Sequence, residues 1–154
     1  MPTLRPARSD EAELLSALAE RSEAHCGYGG AFMARYRELY RITPEWLAGS
    51  TTFVAEEDGV PVGFYALAPG PDGLELEYLY VEPGRIGTGL GRILWQHLTG
   101  QCRRLGVREL HLVCADPPKA FYLRMGALVV AEAASRVLPE RRVWRMVKRF
   151  GDAP

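Results

Sequence analysis

Val81-Glu82-Pro83-Gly84-Arg85-Ile86-Gly87-Thr88-Gly89-Leu90-Gly91-Arg92 is the stretch on which the fold turns. Before it, Leu74, Leu76, Tyr78 and Tyr80 alternate with Glu75 and Glu77, which is the period of a strand. After it, Leu90, Ile93, Leu94, Leu98 and Leu105 recur at helical spacing until Gly106 supplies a stop. Glu109–Cys114 then reads as the next strand, so the stretch is the turn of a strand–helix–strand crossover. Gly87, Gly89 and Gly91 alternate between the strand end and the helix start. Glycines there let a ligand approach the backbone, and unpaired amides at a helix N-terminus attract a phosphate or pyrophosphate without a cationic side chain. A P-loop would close on Gly-Lys-Ser/Thr, whereas Gly91 is followed by Arg92-Ile93. A dinucleotide fingerprint needs Gly-x-Gly-x-x-Gly, but these glycines are evenly spaced and position 92 is Arg. Glycine spacing alone also fits a tight turn that serves only packing.

Toward the N-terminus, Val60–Leu67 and Thr52–Glu56 are rich in β-branched and aromatic residues around Asp58-Gly59, a hairpin signal. Pro69–Gly73 is a second turn. Leu4–Ala7 reads as a short strand, and Asp10 with Glu13 as a capping box opening a helix through Leu14, Leu15 and Leu18. Gly27, Gly29 and Gly30 break helicity; Phe32, Met33, Tyr36, Leu39 and Tyr40 resume it, and Thr43-Pro44 starts a short helix. Toward the C-terminus, Ala120–Met125 reads as a helix, and Ala127–Ala133 and Arg142–Arg149 as strands around Leu138-Pro139-Glu140. The sum is an α/β (α+β) fold: a mixed, mostly antiparallel sheet of about six to seven strands flanked by helices.

The 154 residues, 47% of them hydrophobic, are expected to form one domain spanning residues 1–154. Lys plus Arg and Asp plus Glu number 19 each, so no overall field draws the chain to nucleic acid or to an anionic membrane. Cys26, Cys102 and Cys114 are widely spaced and odd in number, which indicates neither a disulfide framework nor a metal site. Met1-Pro2-Thr3-Leu4-Arg5 has no apolar signal core, and no apolar run reaches about 18 residues. The expected location is the cytoplasm.

Val81-x-Pro83 followed by Ile86-Gly87-Thr88-Gly89-Leu90-Gly91 resembles the acetyl-CoA-binding signature of the GNAT superfamily of N-acetyltransferases. Phe121-Tyr122-Leu123-Arg124-Met125-Gly126-Ala127 resembles that family's Phe-Tyr-x-x-x-Gly-hydrophobic segment, one helix and one strand downstream. The resemblance implies acetyl-CoA as co-substrate and no metal. It implies that the turn, Ile86 through Gly91 with Thr88, Leu90 and Arg92, holds the pyrophosphate through its amides. It implies that the backbone of Leu79, Tyr80 and Val81 lines the pantetheine and acetyl group, with the Leu79 amide facing the oxyanion. Tyr122 matches the position whose phenol protonates the departing thiolate, and Glu75 the position that serves as base in some members. Two departures stand out: Ile86 where the family carries Arg or Gln, and Asp116-Pro117-Pro118-Lys119-Ala120 where it carries Asn ahead of Phe-Tyr.

An alkyl amine titrates near about 10.4 and needs a base or desolvation before it can attack a thioester. Glu75 and Glu77 are expected on one strand face and either can take the proton, directly or through a water; both also fit a solvated strand face. His25 and His111 are further bases by pKa, although His111 in an apolar strand fits a packed core. Tyr28, Phe32, Tyr36, Tyr40 and Trp46 fall in the region that lines the acceptor pocket in the resembled family, while their spacing fits plain helix packing. The expected acceptor is a primary amine of a small molecule or a peptide. A non-enzymatic acyl-CoA-binding or sensing module and a homodimer both stay open.

Overall fold

A computed structural model describes residues 2–151; Met1 and residues 152–154, at the ends of the expected domain, lie outside the described residues. Seven strands form one mixed sheet in the order β1-β2-β3-β4-β5-β7-β6. They are β1 (Thr3–Pro6), β2 (Thr51–Glu57), β3 (Val60–Gly70), β4 (Gly73–Val81), β5 (Glu109–Cys114), β6 (Leu128–Ala134) and β7 (Arg142–Arg149). Every neighbouring pair is antiparallel except β4 and β5, which are parallel because the chain crosses between them through α4 (Leu90–Arg104). α4 and α5 (Asp116–Arg124) cover one face; α1 (Ala12–Ala24), α2 (Gly30–Leu39) and α3 (Pro44–Ala48) belong to the other.

The two faces have separate cores. Tyr65, Leu67 and Leu76 pack with Leu94, Leu98, Leu110 and Met146 under α4, while Phe64, Ala66 and Tyr78 pack with Leu15, Leu18 and Ala19 of α1. The hairpin between β2 and β3 turns on Asp58 and Gly59, whose φ angles of 51° and 77° are the left-handed pair of a tight turn. Among the described residues no helix is long and apolar enough to cross a membrane.

Three expectations need correction. The capping box is not Asp10 with Glu13. Glu11 accepts the Arg8 backbone N–H at 2.8 Å and binds the Arg5 guanidinium through both oxygens at 2.9 and 2.8 Å, so a 3-10 turn over Ser9–Glu11 precedes α1. An ion pair with β1 thus decided the helix start. α5 begins at Asp116 rather than Ala120, because Pro117 and Pro118 occupy first-turn positions, where the missing N–H costs nothing. Leu74, Leu76, Tyr78 and Tyr80 do not share one face of β4. Ala66 pairs with Tyr78 but Leu67 pairs with Leu76, which leaves Glu77 as an extra residue in the ladder. This β-bulge reverses the alternation, sending Leu74 and Leu76 to the α4 side and Tyr78 and Tyr80 to the α1 side.

Candidate active site

The bulge lies beside an opening in the sheet. β4 and β5 pair at one position, Glu75 with His111, and Leu76 to Val81 have no partner on β5. The direction of the β4 amides above the bulge follows from one hydrogen bond. The Glu82 N–H donates to the Val62 carbonyl of β3 at 2.8 Å. Backbone groups alternate along a strand, so the Tyr80 N–H also faces β3, and those of Leu79 and Val81 face the open seam. Both residues are half-buried, and amides on an unpaired strand edge are donors available to a ligand.

The glycine turn sits at the wide end of that seam. Pro83–Arg85 forms a 3-10 turn, and Thr88 folds back on it, its N–H and Oγ1 both donating to the Arg85 carbonyl at 3.2 and 2.5 Å. Arg85 itself is tied to Glu57 of β2 at 2.7 Å. Gly89 is the N-cap of α4 at φ 91°, a conformation that carries a steric cost for any residue with a Cβ. The Ile93 N–H is the one that reaches the Gly89 carbonyl, at 3.1 Å, so the amides of Leu90, Gly91 and Arg92 precede the helical ladder. Arg92 puts a cation at the positive end of α4, which is unfavourable for the helix by itself and suits an anion bound there. Ile86, Gly87, Thr88 and Gly89 are exposed, and Leu90 alone of the turn is buried.

The two sequence segments meet here. A Cβ on Gly91 would stand 3.4 Å from the Phe121 ring, ordinary contact distance, which places the first turn of α4 beside α5. Tyr122 is 8% exposed and packs on Trp95 with ring centroids 5.8 Å apart. Its hydroxyl takes no protein partner among the described residues, and none of their buried side-chain oxygens or nitrogens lacks one. The hydroxyl therefore keeps a small accessible surface within an otherwise buried side chain. Burial, with smaller contributions from Cys114 and Glu23, pushes the phenol far above its usual range, so it stays protonated near neutrality. Cys114 is buried beside the Met146 sulfur, with its thiol pushed up to about 11 by burial, and is poorly suited to act as a nucleophile.

On the opposite face, Glu75 and Glu77 come together as the sequence suggested, though through the bulge rather than through simple alternation. Burial raises the Glu77 carboxyl, and its hydrogen bond and charge contact with Glu75 raise it further, while Arg136 opposes this. A cavity of about 370 Å³ opens beside them, lined among others by Glu75, His111, Val113, Asp72 and Arg145. His111 thus lines a cavity instead of filling the core, because β5 sends Leu110, Leu112 and Cys114 to the α4 side. His25 caps α1 at an exposed position away from this cavity's lining.

The aromatics of α2 and its flanks pack, as their spacing suggested, and they do so against the loop between β6 and β7. Met33 and Tyr36 enclose Val137 of the β6–β7 loop, Tyr28 stacks on Phe32 at 4.1 Å, and Arg141 from the same loop lies 4.7 Å over Tyr28. Arg136 lies 5.3 Å from the Tyr40 ring. The sequence reading missed both arginines and Glu23, whose roles depend on contacts made across the chain.

Comparison with known proteins follows the same lines. Residues 20–127 match the model of the acetyltransferase (GNAT) family. Among solved structures, a GCN5-related N-acetyltransferase of Rhodopseudomonas palustris superposes with a TM-score of 0.82 at 25% identity, over 97% of this chain and 96% of that one. The PaiA N-acetyltransferase of Thermoplasma acidophilum, in complex with coenzyme A, gives 0.80 at 18% identity over 97% and 99%. The ribosomal-protein-S18-alanine N-acetyltransferase of Escherichia coli gives 0.73 at 16% identity over 100% and 97%. No curated protein matches the sequence. The family match covers well over half of the chain, and the seven-stranded sheet agrees with it: the protein belongs to the GNAT family of acetyltransferases.

Proposed function

We propose that the protein, acting as one domain, transfers an acetyl group from acetyl-CoA to a primary amine of a small molecule or peptide, by direct attack in a ternary complex. The observation that carries this reading is the seam between β4 and β5, where the Leu79 and Val81 amides face an unpaired edge that ends at the glycine turn. The pyrophosphate suits the amides of Gly87, Gly89, Leu90, Gly91 and Arg92, with Ile86 and Thr88 shaping the turn. Pantetheine is long and carries amides of its own, so it can complete the β4 edge at Leu79, Tyr80 and Val81 as a strand would. The coenzyme A bound to the Thermoplasma acidophilum neighbour supports the choice of donor.

In this reading the Leu79 N–H donates to the thioester oxygen as charge develops on it, from a position set before reaction. The Glu75 and Glu77 pair, next to the bulge, takes the acceptor's proton directly or through a water, and the raised Glu77 carboxyl suits that role. The nitrogen forms its bond to the carbonyl carbon as the C–S bond breaks, and the Tyr122 phenol supplies a proton to the sulfur. Holding both reactants in one cleft makes the step effectively unimolecular, without an acetyl-enzyme.

The experiment is a thiol-release assay with acetyl-CoA against alkyl amines, polyamines, amino acids and peptides, with calorimetric binding of acetyl-CoA alongside. Binding with release names the acceptor class. Binding without release would favour a sensing module, and absence of binding would defeat the proposal.

A further inference from the structure

Glu23 in the last turn of α1 has no role in the mechanism above, yet three features make it costly. It is half-buried, and among the described residues no cation pairs with it. It stands at the negative end of its helix, where a carboxylate is disfavoured. Its neighbour Arg21, the nearest cation in sequence, is committed to Glu82 through two hydrogen bonds. Desolvation of an unpaired carboxylate is destabilising, and such a group persists where it meets a cation in the working state.

Glu23 is also held in one place. The Tyr80 hydroxyl donates to its Oε2 at 2.7 Å, and the Tyr36 hydroxyl donates to that of Tyr80 at 3.2 Å. Tyr80 lies on β4 between Leu79 and Val81, the two residues whose amides face the open seam. The carboxylate is thereby fixed from α1 and α2 over the segment of β4 that meets the thioester. The other titratable groups in its field are Cys26, Tyr28, Tyr40 and, across the seam, Tyr122, none of them a cation. Arg141 and Arg136 lie over the outer rings of this cluster, Tyr28 and Tyr40, while Tyr80 and Tyr36 beside the carboxylate carry no cation of their own, which favours an alkyl or arylalkyl ammonium there.

We infer that Glu23, held by the Tyr80 and Tyr36 hydroxyls, is the carboxylate that docks the acceptor's ammonium group beside the thioester. The inference rests on the acetyl-transfer reading and deepens it: the acceptor enters as a cation and is selected by charge at Glu23, before the Glu75 and Glu77 pair removes its proton. Glu23 is a specificity-determining residue here and needs no share in the bond-making step.

The test is Glu23→Gln, which keeps an oxygen for Tyr80 and removes the charge, assayed with butylamine, phenethylamine and putrescine. The expected result is a KM for amine raised about 10- to 100-fold, the range for a lost charge-assisted contact, with kcat within about threefold. Calorimetric affinity for acetyl-CoA should stay within about twofold, and Glu23→Asp should recover part of the KM. The melting temperature of Glu23→Gln should equal or exceed that of the wild type, since a half-buried charge with no cation beside it has been removed while an oxygen stays for Tyr80. An unchanged KM with acetyl-CoA binding intact would overturn the inference, and so would a lower melting temperature, which would make the carboxylate a structural member. Failure of the wild type to bind acetyl-CoA would defeat the transferase reading instead, and the melting comparison would still judge Glu23.

Discussion

Tyr122→Phe removes one oxygen and isolates the proposed proton donor. The Tyr122 ring stays packed on Trp95 and Phe121, at 5.8 and 5.3 Å, and its hydroxyl has no protein partner to lose. The change in stability should therefore stay within about 0.5 kcal/mol, as for substitutions that touch no packing or buried polar contact. Catalysis should respond differently. General-acid help is worth about 10²- to 10⁴-fold, and a thiol is a good leaving group with a pKa near about 8.5, so the lower end applies. We expect kcat to fall about 100-fold, or about 2.7 kcal/mol in the barrier. Because burial holds the phenol far above its usual range, the wild type should show no descending limb from Tyr122 between about pH 6 and 9. The assay is thiol release at saturating acetyl-CoA over that pH range, with calorimetric affinity and thermal melting of both proteins. A kcat within about threefold of wild type, with affinity and melting unchanged, would refute the assignment.

Gly89→Ala places a Cβ at φ 91° with open space around it, so the cost is backbone strain of about 1–2 kcal/mol, appearing as a matching loss of stability in urea unfolding. Arg5→Met leaves the Glu11 carboxylate, 5% exposed, without its main partner and should destabilise by about 3 kcal/mol in urea at pH 7. Arg5 holds the Glu11 carboxyl below its usual range, so this stability is present above about pH 4.3 and is lost as pH falls through the lowered value; the gap between variant and wild type should narrow on acidification. The rising limb of kcat/KM should sit above the ordinary carboxylate range, because burial and then Glu75 raise Glu77; Glu75→Gln should move the limb down and Glu77→Gln should abolish it. Burial raises the phenols of Tyr36, Tyr65, Tyr78, Tyr80 and Tyr122, so the stability they contribute is present below about pH 10 and is lost as pH rises toward their folded values. Urea midpoints should be level up to about pH 9.5 and fall beyond it.

Features set by neighbouring residues could be read from the amino-acid order alone. The Asp58-Gly59 hairpin, the strand–glycine turn–helix unit around Gly87 to Gly91, the strands Glu109–Cys114 and Arg142–Arg149, and the Phe121-Tyr122 segment all appear where their local pattern places them. Each depends on backbone freedom, period or spacing within about a dozen residues, which a sequence displays directly. The rest required contacts across the chain. The bulge at Glu77 is where β3 and β4 fall out of step at Ala66 and Leu67; that single extra residue sends Leu76 and Tyr78 to different faces, and beyond it β4 has no pairing with β5. The start of α1 was decided by Arg5 on a different strand, and Glu23 acquires its place from Tyr80, 57 residues away. A local pattern can say that Glu23 lies on a helix. It is the packing of that helix against β4 that strips water from its carboxylate and leaves it hydrogen-bonded to Tyr80 with no cation beside it, since desolvation and the position of a distant hydroxyl are properties of the folded chain.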